Sequence, residues 1–261
     1  MQFEDIIYTE QAGIAKIIFN RQRVYNAFRT TTLKEVATAL ETADLDSNVR
    51  AVILTGAGGK AFCTGGDAKE VKDGAGYLQD MDYWHTRVHQ SIRNLTKPVI
   101  AAVNGFAIGG GNVLVTVCDM AIASENAIFG QAGPRVGSFD AGFGAAYLSR
   151  IVGEKKAREI WFLCRKYSAL EALEMGLVNK VVAFDKLQEE AENWCKEICD
   201  MSPTAIKFLK FSFNADTDHM YGFENMSMSA VRLYWSTEEA AEAKKAKMEK
   251  RKPDWAALIK S

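Results

Sequence analysis

Pro98-Val99-Ile100-Ala101-Ala102-Val103-Asn104-Gly105-Phe106-Ala107-Ile108-Gly109-Gly110-Gly111-Asn112 runs directly into the apolar residues 113–117. Residues 98–103 are a short apolar run closed by asparagine and glycine, the pattern of a buried strand. A helix is expected after the glycines, so the stretch reads as strand, glycine turn, helix. Two physical uses fit three glycines at such a junction. Without Cβ atoms they let backbone approach a ligand, and the free N–H groups and dipole at a helix start favour a negatively charged oxygen. Tight packing of strand on helix calls for the same glycines. Spacing alone does not separate the two.

Outward from this stretch, β-rich runs recur at Ile14–Phe19, 51–55 and 120–123, each bounded by turn residues. Helical periodicity lies between them. In residues 32–43, Leu33, Val36, Ala37 and Leu40 recur at three- and four-residue steps behind capping threonines. Strands alternating with helices predict an α/β sheet protein. Beyond about Val182 strand signals stop, and 187–199, 203–214, 223–235 and 238–250 read as helices. The expected division is an α/β core over residues 1–185 and a helical region over 186–261. Residues 73–83, with two glycines, three acids and no clean period, are the candidate mobile loop.

Composition narrows the classes. The 261 residues are 48% apolar and 25% charged, enough to bury one large core. A formal charge of −1 with interspersed signs advertises no face for nucleic acid or anionic lipid. The apolar runs are too short to span a bilayer, and the acidic start lacks a signal-peptide pattern. Five cysteines, an odd number in mostly apolar context, read as reduced core thiols of a cytoplasmic protein. Cys195 and Cys199 have no companion histidine or cysteine pair, so no zinc site is expected there.

A second glycine pair, in Phe62-Cys63-Thr64-Gly65-Gly66-Asp67, also follows a strand-like run. Two such turns presenting N–H groups together would make a two-donor oxyanion hole. Other motifs fail. Gly56-Ala57-Gly58-Gly59-Lys60 lacks Walker spacing, and Gly142-Phe143-Gly144 follows no clear strand. There is no Gly-x-Ser-x-Gly. His85 and His89 are four apart, but no nearby carboxylate completes a metalloprotease motif, so a surface or inter-helix position is expected for both. Ser138 and Asp140 lie in a glycine-dense segment and offer a hydroxyl and a carboxylate together. On residue type alone, helix capping is the better reading.

Together these pieces resemble the crotonase (enoyl-CoA hydratase/isomerase) superfamily nearly end to end. The likeness rests on 14–20 with Asn26-Ala27-Phe28, on 61–67, 104–119, 127–144 and 172–182, and on Ser202-Pro203. It implies a crotonase (ClpP-like) spiral of ββα units with a C-terminal helical trimerisation region, assembled as a homotrimer or homohexamer. It also implies an oxyanion hole from the N–H groups of Gly66 and Gly110. The expected partner is an acyl-CoA thioester, with coenzyme A as part of the substrate. No tightly bound cofactor, metal, nucleic acid or membrane is expected.

The family's hydratases carry two glutamates, at positions that here hold Val113 and Gly133. Without them water addition to a simple enoyl-CoA has no acid–base pair. The segment from Phe129 to Trp161 instead resembles two branches of the family, the 1,4-dihydroxy-2-naphthoyl-CoA synthases and the 2-ketocyclohexanecarboxyl-CoA hydrolases. The C-terminal segments lean toward the hydrolases. The anion-holding residues of bicarbonate-dependent synthases match Gln131, Ala132 and Trp161, with a hydroxyl lost at 132. The resemblance therefore implies hydrolytic ring cleavage of a cyclic β-ketoacyl-CoA, with ring-closing condensation as the alternative and a non-catalytic RNA-binding relative behind both. It assigns Asp140 as base or proton relay, Ser138 as its partner and Tyr77 as a donor from the 73–83 segment. Trp235 matches the family's C-terminal tyrosine. Lys69, Lys250 and Tyr25 match positions that meet coenzyme A.

Overall fold

The structure, a computed structural model, describes residues 2–67 and 75–259, without the side chains of 75–79 and 259. In chain order the strands are β1 (Ile6–Gln11), β2 (Ile14–Phe19), β3 (Ala51–Gly56), β4 (Ala61–Cys63), β5 (Val99–Val103), β6 (Phe106–Ile108), β7 (Met120–Ser124), β8 (Ile128–Gly130), β9 (Lys166–Ser168) and β10 (Lys180–Val182). The helices are α1 (Thr30–Leu45), α2 (Ala75–Asn94), α3 (Gly110–Val117), α4 (Gly133–Val136), α5 (Leu148–Val152), α6 (Glu154–Leu163), α7 (Ala169–Glu174), α8 (Leu187–Cys199), α9 (Pro203–Ala215), α10 (Met220–Trp235), α11 (Glu238–Met248) and α12 (Trp255–Ile259).

The strands form two sheets, ordered β1-β2-β3-β5-β7-β10 and β4-β6-β8-β9. Each consecutive pair β3/β4, β5/β6 and β7/β8 sends one strand to each sheet before the chain crosses back. Repetition of that step winds the chain into the expected spiral of ββα units. The large sheet is parallel except for the β1–β2 hairpin, and the small one is parallel except for β8–β9.

Alternate side chains of a strand face opposite ways. Val52, Leu54, Val99 and Ala101 enter the main core with Leu33 and Val36 of α1 and Val88 and Ile92 of α2. Ala51, Ile53, Ile100 and Ala102 face Leu187, Ala191 and Cys195 of α8. Burial on both faces explains why these strands read as unbroken apolar runs. Thus α8, beyond residue 185, is itself a layer of the core. Lys210 of α9 is 5% exposed; its ammonium donates to the carbonyls of Ile92 and Lys97 and to Asp119, at 2.7–2.9 Å. That latch fixes α9 to the end of α2 and the start of β5.

The 73–83 segment departs from expectation. It is helical from Ala75, and residues 73 and 74 lie outside the described residues. Met81 and Asp82 are buried there, so α2 has an inward face that its acids and glycines masked. The five cysteines are free. Among the described residues no helix is long and apolar enough to cross a membrane.

Candidate active site

Strand register assembles the site. β4 and β8 flank β6 in parallel, so the segments that follow all three, at 65–66, 109–110 and 131, emerge at one edge of the small sheet. A Cβ on Gly65 would lie 2.9 Å from the Gly110 nitrogen, so the two glycine turns touch. Phe28 pairs with Gly66 as a parallel bridge, accepting from Asp67 N–H and donating to the Gly65 carbonyl at 2.8 Å each. The Gly66 and Gly110 amides donate to no acceptor among the described residues. Arg21 holds the first turn through Asp67 at 3.0 Å, and buried Asn26 donates to the carbonyls of Ala57 and Ala61. A Cβ on Gly110 would meet the Phe28 ring at 2.7 Å. Glycine is therefore what permits this close approach to Phe28.

Asp140 is 8% exposed. Its Oδ1 accepts from Gly142 N–H at 2.9 Å and Gly144 N–H at 3.1 Å. The capping expected of this residue type is thus real, but it occupies one oxygen. Oδ2 is buried without a partner among the described residues. Burial and then the charge of Glu224 push the carboxyl up to about 6, opposed by His89 and the two amides. Such a group can carry a proton near neutral pH.

Two indoles bracket this segment. Trp235 donates to the Gly137 carbonyl at 3.1 Å, and Trp161 donates to the Gly144 carbonyl at 2.5 Å. An indole has one donor and no acceptor, so neither has a hydrogen bond left for a ligand. That geometry departs from the expectation that Trp235 meets substrate and Trp161 an anion; both clamp the ends of residues 137–144. Ser138 lies in the segment between the two clamped carbonyls. The Gln131 amide is buried, with neither atom partnered among the described residues. It borders a cavity of about 360 Å³, also lined by Ala132, Arg135, Arg165 and Lys166 but by neither Asp140 nor the glycine pair.

Of the expected coenzyme-A contacts, Tyr25 is half exposed in left-handed backbone, its ring edge-on to Phe106. Lys250 is exposed just past α11, also left-handed. Lys69 lies outside the described residues, and so does the side chain of Tyr77, whose backbone is in α2. Val113 is buried, and a Cβ at 133 would stand 2.5 Å from the Ser138 carbonyl oxygen. Neither place offers a carboxylate, and the second has no room for one.

One cluster was not legible in the sequence. His85 and His89 take the inter-helix alternative: both lie on α2 against Glu224 of α10, their rings edge-on with centroids 4.3 Å apart. The missing carboxylate arrives from 135 residues away as Glu224, 3.0 Å from His89 Nδ1 and 4.0 Å from His85 Nδ1. Burial brings His85 down to about 3, aided by His89, and His89 down to about 4. Burial also raises Glu224. Their ligand-capable atoms lie within 4.8 Å of one another, looser than the roughly 3.3 Å between ligands of a tetrahedral zinc. His89 Nδ1 already bonds Glu224, and the ring atom left without a partner among the described residues is Nε2, across the ring. Within the cluster, among the described residues, only His89 and Glu224 are hydrogen-bonded, and His85 Nδ1 has no partner.

A spiral of ββα units ending in paired glycine turns is the frame of an acyl-CoA enzyme. The chain belongs to the enoyl-CoA hydratase/isomerase family, whose profile matches residues 9–257. It is similar to a solved enoyl-CoA hydratase from Mycobacterium avium subsp. paratuberculosis K-10, with 25% identity over 97% of this chain and 99% of that one, TM-score 0.88. An enoyl-CoA hydratase/isomerase from Xanthobacter autotrophicus Py2 is 32% identical over 95% and 94% of the two chains, TM-score 0.82. An enoyl-CoA hydratase from Bacillus anthracis is 31% identical over 97% and 99%, TM-score 0.78. The fold is that of the crotonase superfamily, whose members process acyl-CoA thioesters.

Proposed function

We propose that this protein hydrolyses a C–C bond in a cyclic β-ketoacyl-CoA. The observation that carries the reading is Asp140, a buried carboxyl with one oxygen fixed and the other free, while both hydratase positions lack a carboxylate. Water adds to the ring ketone as Asp140 takes its proton, giving a tetrahedral alkoxide. The ring C–C bond then breaks, and its electron pair moves into the thioester as an enolate. The proton returns to the α-carbon, leaving an open-chain carboxylic acid still joined to coenzyme A. One water is consumed and the ring opens.

The Gly66 and Gly110 amides would hold the enolate oxygen, each worth about 3–4 kcal/mol of barrier. Ser138 would meet the ketone, and Tyr77 would donate to it. Lys69, Lys250 and Tyr25 would hold the coenzyme, and the tryptophans would keep Asp140 in place. Phe208 and Phe213 of α9, 63% and 77% exposed, support assembly as a homotrimer or homohexamer.

Ring-closing condensation, the naphthoyl-CoA synthase reaction, uses the same enolate. Its bicarbonate needs Gln131 together with an indole donor and a hydroxyl, but Trp161 is engaged by Gly144 and residue 132 is alanine. Purified protein incubated separately with 2-ketocyclohexanecarboxyl-CoA and o-succinylbenzoyl-CoA, followed by mass spectrometry, decides between them. Gain of one water by the first thioester is expected. Turnover of the second alone would sink the hydrolytic reading.

A further inference from the structure

Asp140 and Glu224 are held by consecutive amides of one turn. Gly142 and Gly144 donate to Asp140 Oδ1, and Phe143 between them donates to Glu224 Oε2 at 3.2 Å. Only glycine permits this at 142, where a Cβ would lie 2.2 Å from Glu224 Oε2. Glu224 is fully buried, and its other oxygen is hydrogen-bonded to His89 Nδ1 at 3.0 Å.

Neither carboxylate has a lysine or arginine partner among the contacts of the described residues. From α2 they are faced by His85 and His89, with Asp82 and Arg93 a turn away on either side. Asp82 is paired with Arg232 of α10. Arg93 stacks on the rings of Phe143, Tyr147 and Tyr221 at 5.3, 5.1 and 5.6 Å and bonds Thr217. Two buried carboxylates side by side without a cation between them do not both ionise readily; their titrations belong to the pair.

Hydrolytic ring opening, on which this inference rests, makes one aspartate take a proton and return it within a turnover. We propose that Glu224, oriented by His89, is the positioning residue that lets Asp140 do both, the two carboxylates sharing one proton across the 142–144 turn. Glu224 touches no substrate. It supplies the second carboxylate that the site lacks at positions 113 and 133, through the Phe143 amide of the same turn. Loss of its charge lowers the proton affinity of Asp140, and loss of His89 raises it.

The test is Glu224→Gln and, separately, His89→Gln, each with the Asp140 carboxyl followed by ¹³C NMR titration without substrate. The pH profile of kcat/KM is then measured on the thioester that wild type turns over. Glu224→Gln should move the Asp140 transition and the acidic limb of the profile down together by about one pH unit, with KM within about twofold. His89→Gln should move both up, by less. Opposite shifts cannot arise from loosened packing, and they keep the test alive should one variant fail to fold. An Asp140 transition unmoved in both variants overturns the proposal, as does a moved transition with an unmoved kinetic limb. Stoichiometric zinc in the purified protein would overturn it too, making the same atoms ligands. Inertness toward both thioesters would sink the hydrolytic reading, whereas the NMR shifts decide the pairing by themselves.

Discussion

Asp140→Asn tests the burial of the carboxyl and its chemistry at once. The folded protein raises this group from 3.8 to about 6, so it binds the proton more tightly folded than unfolded. Stability is therefore highest below the unfolded value and falls as pH rises through about 6. Two pH units at 1.36 kcal/mol each put the full cost near 3 kcal/mol above both values, and about 1.4 kcal/mol of it accrues between pH 5 and pH 8. Asparagine abolishes that slope. Its oxygen still accepts from Gly142 and Gly144, but its NH₂ replaces the unpartnered Oδ2, a pH-independent cost of about 1–3 kcal/mol. Denaturation of both proteins at pH 5 and 8 should show their stability difference shifting by about 1.4 kcal/mol toward the variant at pH 8, or about 2–3 °C in Tm for a chain of this length. Turnover should vanish with thioester binding retained. Parallel pH curves would refute the buried, raised carboxyl; full activity would remove Asp140 from the reaction.

Gly110→Ala places a methyl 2.7 Å from the Phe28 ring and 3.3 Å from Gly65 Cα; steady-state kinetics should show kcat down roughly 10²–10³-fold, with Tm lowered by the overpacking. Lys210→Met leaves Asp119 without its ammonium partner and two carbonyls without a donor, and chemical denaturation should report a loss of about 3–5 kcal/mol. The buried histidines carry the opposite sign to Asp140. Held at about 3 and 4, they make stability fall as pH drops below 6.5, by about 1.4 kcal/mol per unit for each. Denaturation of the His85→Gln, His89→Gln double variant should show that slope flattened between pH 6.5 and 4.

What could be read in advance follows from element length and chain separation. β2, β3, β5 and β7 are five or six residues each, β3 and β5 buried throughout and β2 and β7 for the most part, so their apolar runs stand out. The three-residue strands β4, β6, β8 and β9 carry no period; Phe106–Ile108 passed for part of a glycine turn, although it sets the register of the whole site. The glycine pairs and the Ser138–Asp140 segment were visible through residue type and resemblance. That Asp140 caps with one oxygen, the other lacking a partner among the described residues, is a property of the folded chain alone. Glu224 gave no local signal, because its partners are on another helix 135 residues earlier. The spacing of His85 and His89 is visible in the sequence, but the carboxylate that explains it lies beyond any local window. Trp235 matches a phenol position by resemblance, and its hydrogen bond goes to the main chain at Gly137.

The pair of indole clamps has an optical consequence. Of five tryptophans in the chain, two have their N–H groups tied to carbonyls that flank the aspartate. Indole emission shifts with the field along the ring and with the bond at its nitrogen. Proton movement at Asp140, or arrival of an anionic thioester beside it, should therefore colour the intrinsic fluorescence. The protein has a built-in lamp at its reaction centre, and Trp161→Phe and Trp235→Phe would show which indole supplies the light.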